Sequence, residues 1–138
     1  MKVEISKKLE RLADYVQKLE ELKKLSLTEL RNKPIERAAT ERFFQMAIES
    51  VIDVCSMIIS HEDLEKPDEY RKTITLLADA GILDEKFAEN FSQIAGFRNI
   101  LVHQYADVDL DILYQFLQNR LKDFDVFARQ IASYLDKK

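Results

Sequence analysis

"PIERAATERFFQMAIESVIDVCSMII", Pro34 to Ile59, is the stretch on which the fold turns. It holds no glycine, and its one proline stands first, where a missing N–H costs a helix nothing. Its apolar residues fall on two stripes at helical spacing: Phe43, Ala47, Val51, Val54 and Ile58, and beside them Ile48, Ile52, Cys55 and Ile59. An arc that wide predicts a central helix touched by several others rather than a surface helix with one buried edge. Arg42 and Glu49, seven residues apart, share one side of it.

The flanking chain supplies the other helices. Ile5, Leu9, Leu12, Val16 and Leu19 recur at spacings of three and four and predict a helix over 3–25. "SLTE" (26–29) matches a capping box, with Ser26 as cap and Glu29 reaching back, and opens a short helical turn. "HEDLEKP" reads as a loop, and a helix over 68–79 ends at Gly81, a left-handed stop. Asp84 caps a fourth helix. Asp107 or Asp109 caps a fifth, marked by Leu110, Tyr114, Leu117, Leu121, Phe124, Ala128, Ile131 and Leu135. The expectation is an all-α protein: one domain over 1–138, an antiparallel bundle of about five helices.

Composition agrees. Two Gly and two Pro among 138 residues, with 46% hydrophobic and 33% charged residues, suit a helical chain with a real core. A net charge of −4 and a pI near 5.3 argue against coating nucleic acid by bulk charge, though not against a local site for one phosphate. Cys55 is the sole cysteine and has apolar neighbours, so a buried thiol in a reducing compartment is expected. No secretory leader is recognisable, and "VIDVCSMII" contains Asp53 and falls short of the roughly 20 apolar residues of a membrane helix. A cytoplasmic protein without a membrane partner is the resulting expectation.

The fourth helix carries "RNILVHQY" (98–105), which places Arg98, Asn99, His103 and Tyr105 beside core positions. Asn99 and His103, four apart, stack on one side; Arg98 and Tyr105, seven apart, stack on another, roughly 100–160° away. A long Arg side chain, or a helix break near Tyr105, would bring all four to one groove. Ile94, Phe97, Leu101 and Phe87 face the core, and Gly96 leaves room for another backbone, such as the same helix of a second copy. The bare Arg-to-His spacing is common, and a histidine near a helix end more often pairs with backbone or dipole than catalyses. Other chemistry is weaker. His61 suits the end of its helix, the two histidines are far apart in sequence with no metal-ligand spacing, and no phosphate loop or nucleophile elbow is present. No metal or cofactor is expected. Arg42 and Glu49 read as a structural pair, or as a lining of the site should Arg98 lie near.

With its polar second residue and its tyrosine, "RNILVHQY" resembles the HEPN superfamily and, within it, the HepT-like toxins, whose pattern is Arg, polar residue, three residues, His, any residue, Tyr. "ERFFQMAIESVIDVCSMII" resembles that family's second helix, with Arg42 and Glu49 at its recurring polar positions, and the likeness spans nearly the whole chain. It implies a homodimer whose two motifs face one groove, and metal-independent RNA cleavage by a toxin with Arg98 and His103 catalytic and Asn99 supporting. It also implies a cognate minimal nucleotidyltransferase antitoxin that transfers AMP to Tyr105. Two other readings stay open from the residues alone: a non-catalytic helical subunit that binds a nucleotide or a nucleotidyltransferase, and a plain dimerisation module with a structural histidine.

Overall fold

The structure, a computed structural model, describes residues 1–103 and 108–138, without the side chain of His103. Eight helical segments follow one another: α1 (Lys2–Leu22), α2 (Leu27–Asn32), α3 (Pro34–His61), α4 (Tyr70–Asp79), α5 (Glu85–Phe91), α6 (Ile94–His103), α7 (Leu110–Asn119) and α8 (Leu121–Asp136). There is no strand among the described residues. The all-α bundle is as expected, and the larger count has a local cause. Each of the two last expected helices is broken once, and the short turn after Ser26 is a helix of its own.

At its centre lies α3, packed against α1, α2, α4 and α6. Phe44, Ala47, Ile48, Val51, Val54, Cys55 and Ile58 on it have no exposed surface. The expected stripe is displaced by one residue at its start: Phe44 is in the core, and Phe43 is only partly buried beside Tyr15. By length and composition α3 could cross a membrane, yet more than half of its most apolar window is covered by the bundle. Burial also pushes the Cys55 thiol far up, as for an inert core sulfur. From α1, Ile5, Leu12, Val16 and Leu19 enter the same core.

The caps follow the sequence closely. The Glu29 amide donates to Ser26 Oγ at 3.1 Å, and the Ser26 amide donates to Glu29 Oε1 at 3.2 Å. Asp84 caps α5 and Asp109 caps α7. Gly81 sits at φ +78°, a conformation costly for any residue with a Cβ.

Both breaks are held by one residue. The turn at Ser92–Gln93 separates α5 from α6, where Ser92 Oγ donates to the Glu89 carbonyl at 2.7 Å. Arg120 separates α7 from α8. Its guanidinium donates to Asp123 at 2.8 Å, to Gln93 Oε1 at 3.2 Å and to the Asn90 carbonyl at 2.9 Å, and it lies over Phe116. The two breaks are thus tied together, which fixes how α6 leaves the bundle. Phe97 of α6 stacks on Phe116 with centroids 4.1 Å apart and meets Phe44 edge-on at 5.4 Å. Arg37 of α3 donates to the Val108 carbonyl and so anchors the start of the chain leading to α7.

Candidate functional site

Phe97 is 2% exposed and faces the core, so the next residue, 100° further round α6, emerges at the core's edge. That residue is Arg98. Its side chain is 17% exposed and runs between α3 and α4. Arg98 Nη2 lies 3.6 Å from Glu49 Oε1, Arg98 Nη1 lies 3.5 Å from Asn99 Oδ1, and the guanidinium carbon sits 4.9 Å from the centre of the Tyr70 ring. Its Nε is buried and has no hydrogen-bond partner.

These contacts border a cleft of about 800 Å³ lined by Asp68, Tyr70, Gln93, Gly96, Arg98 and Asn99, among others. A smaller cleft of about 270 Å³, lined by Glu49, Ile52, Asp53, Tyr70 and Arg98, adjoins it. Arg98 and Tyr70 belong to both. The larger cleft has room for a nucleotide-sized group. Its polar walls offer donors and acceptors, with two permanent cations, Arg71 and Arg98, in its lining.

The expected site residues can be placed one by one. Arg98 and Asn99 line the same cleft although they leave α6 in different directions, because the Arg side chain is long enough to turn back. Glu49 reaches Arg98 and accepts from Gln45 Nε2 at 3.3 Å, so it lines the site. Arg42 is exposed, and Glu49 takes Gln45 and Arg98 rather than Arg42 as its partners. His103 ends α6, five residues after Arg98, and its side chain lies outside the description; Tyr105 falls outside the described residues altogether. His61 is exposed at the end of α3, away from this cleft. Among the described residues no three His, Cys, Asp or Glu side chains gather as a metal site requires.

Tyr70 and Gln93, with Asp68, Glu69 and Arg71 of the cleft wall, are among the lining residues that sequence reasoning missed. Tyr70 lies 28 positions before Arg98 on another helix, and no periodicity links them. A tyrosine placed at the start of a helix, just after a loop, was the only available signal.

Comparison with known proteins fits this geometry. The family described as Ribonuclease HepT-like matches residues 12–131. The mRNA nuclease HepT of Shewanella oneidensis is 34% identical over 89 residues, covering 64% of this chain and 67% of that protein. The tRNA nuclease HepT of Aphanizomenon flos-aquae is 28% identical over 131 residues, or 95% of this chain and 89% of that one. Among solved structures, the tri-AMPylated Shewanella oneidensis HEPN toxin in complex with MNT antitoxin superposes with a TM-score of 0.84 at 24% identity, covering 94% of this chain and 96% of that chain. A match from the first helix to the last, in a bundle of this architecture, shows that the chain belongs to the HepT-like ribonuclease family.

Proposed function

We propose that this chain is the toxin of a toxin–antitoxin pair: a metal-independent endoribonuclease, one domain over 1–138, working as a homodimer in the cytoplasm. Its cognate minimal nucleotidyltransferase neutralises it by transferring AMP to Tyr105. The observation that carries this reading is the Arg98 guanidinium. It is held at the back of a nucleotide-sized cleft, with Asn99 beside it and His103 five residues on along the same helix.

Cleavage without a metal needs a base for the 2′-OH, a proton for the departing 5′-oxygen and a cation for the charge of the phosphorane. Imidazole is the side chain suited to taking or giving a proton near neutrality, which is the role proposed for His103. Arg98 stays charged and offers two N–H groups to the phosphate oxygens. Asn99 holds a phosphate oxygen or the imidazole. A second copy across the groove supplies a second imidazole, so that one is free to accept the proton while the other donates. Two features support that dimer: Ile100 and Val102 on α6 remain 38% and 37% exposed, and a Cβ added to Gly96 would meet nothing in its own chain. AMP on Tyr105 would add bulk and negative charge where RNA phosphate must enter.

Asp68 and Glu69, which balance Arg71 and Arg98 in the cleft wall, favour a second reading, in which the cleft binds a nucleotide without cleaving RNA, because a wall without net positive charge attracts a polyanion poorly. The deciding experiment is RNA cleavage by the purified chain in the presence of chelator. Wild type is expected to cut RNA and to spare DNA, which lacks the 2′-OH. Arg98→Ala and His103→Ala should each fold and cut nothing. Activity lost in chelator and restored by magnesium would overturn the mechanism. A folded wild-type chain that binds nucleotide but leaves RNA intact would establish the second reading.

A further inference from the structure

We propose that Tyr70 is a positioning residue for Arg98: its ring is the surface that keeps the guanidinium aimed into the larger cleft. This rests on the ribonuclease reading for its consequence in catalysis, but the geometry behind it is independent of that reading.

A guanidinium that must meet a phosphate edge-on needs its plane fixed beforehand. Hydrogen bonds do not fix it here. The contact with Glu49 is 3.6 Å and that with Asn99 is 3.5 Å, both beyond the usual range of 2.7–3.2 Å. Nε is buried and makes no hydrogen bond. The remaining restraint is the Tyr70 ring, with the guanidinium carbon 4.9 Å from its centre, inside the roughly 6 Å over which a ring quadrupole holds a cation. A cation resting on a ring face has one side blocked, and its N–H donors are left at its edges.

The position of the ring adds a second reason. Tyr70 and Arg98 together line both clefts and form the partition between them. On the smaller side wait two carboxylates, Glu49 and Asp53, the latter already paired with Lys8 at 3.0 Å. Without the ring, the guanidinium would be free to drop into that smaller cleft and pair closely with Glu49. The larger cleft would then lose the cation that α6 supplies and keep only Arg71. Tyr70 is the first residue of α4, and the buried Thr73 one turn on bonds back to this turn by donating its hydroxyl to the Glu69 carbonyl at 3.1 Å, so the ring stands on an anchored helix end. It remains 44% exposed, so removing it leaves the core intact.

The test compares Tyr70→Ala, Tyr70→Leu and Tyr70→Phe in steady-state RNA cleavage, with circular dichroism as the check on folding. Tyr70→Phe keeps the ring and should stay within about twofold of wild type. Tyr70→Ala, and Tyr70→Leu with its bulk but no quadrupole, should each lower kcat roughly 3- to 30-fold with KM little changed. The second readout is the NMR signal of the Arg98 side-chain Nε–H. The Tyr70 ring current should shift it upfield in wild type and in Tyr70→Phe, and the shift should vanish in the other two. A rise in KM alone would mean that the ring stacks on substrate instead, and would overturn the proposal. So would an unshifted Arg98 signal in wild type, or a Tyr70→Phe variant as damaged as Tyr70→Ala. If wild type cuts no RNA, the ribonuclease reading fails, while the Arg98 signal still decides whether Tyr70 orients the cation.

Discussion

Glu49→Gln removes a negative charge 3.6 Å from the cation assigned to phosphate while keeping the side chain's shape and its contact with Gln45. Two unit charges at that separation attract by about 1 kcal/mol in water and by about 4–5 kcal/mol at an effective dielectric near 20. The Glu49 side chain is 39% exposed, so solvent screens the pair and the lower figure applies. In the proposed mechanism, RNA phosphate competes with Glu49 for Arg98. Releasing about 1 kcal/mol of that competition should tighten RNA binding about fivefold. The assay is fluorescence anisotropy of a labelled RNA oligonucleotide, with both proteins carrying His103→Ala so that nothing is cleaved. The gain should shrink as salt rises, because a half-exposed pair is screened over a Debye length of about 8–10 Å. Binding that is unchanged or weaker in Glu49→Gln would refute the view that the carboxylate and the phosphate share one cation.

Arg120→Ala should cost about 2–3 kcal/mol by denaturant unfolding, since it strips charge-assisted bonds from both helix breaks and leaves the buried Asp123 unpaired; a loss below 0.5 kcal/mol would show that the clamp is ornamental. Hydrogen bonds from Lys138 and Tyr134 hold the Glu62 carboxyl below its usual 4.5, so the stability it contributes is present above that pH and is lost as pH falls through the lowered value; Glu62→Gln should therefore lower Tm at pH 7 and make no difference near pH 2, and an equal effect at both would contradict the linkage. Gly96→Leu should leave the isolated bundle folded, because a Cβ there meets nothing, yet it should weaken self-association in sedimentation if the second copy packs on that face; a variant that dimerises as well as wild type would move the interface elsewhere.

Local rules carried much of the fold. The capping box at Ser26, the Asp84 cap, the stop at Gly81 and the apolar stripe of α1 depend on residues within a few positions of one another, so the sequence alone determines them, whereas the choice of Asp109 over Asp107 as the cap of α7 was left to the structure. The breadth of the apolar arc made α3 the central helix for the same reason. The motif was legible too, because Arg98, Asn99 and His103 lie within two turns of one helix. Tertiary structure decided what depends on distant partners. An uninterrupted final helix was the simplest reading of its apolar stripe. Arg120 breaks it by reaching Gln93 and Asn90, residues 27 and 30 positions away. Glu49 took Arg98 in place of its helix neighbour Arg42, since only packing α6 across α3 brings that guanidinium within reach. Tyr70 entered the site because α4 sets its first turn against α6, a contact that no spacing along the chain encodes. Periodicity reports which face of a helix is buried; which side chains then meet across two helices is fixed by how the whole core closes.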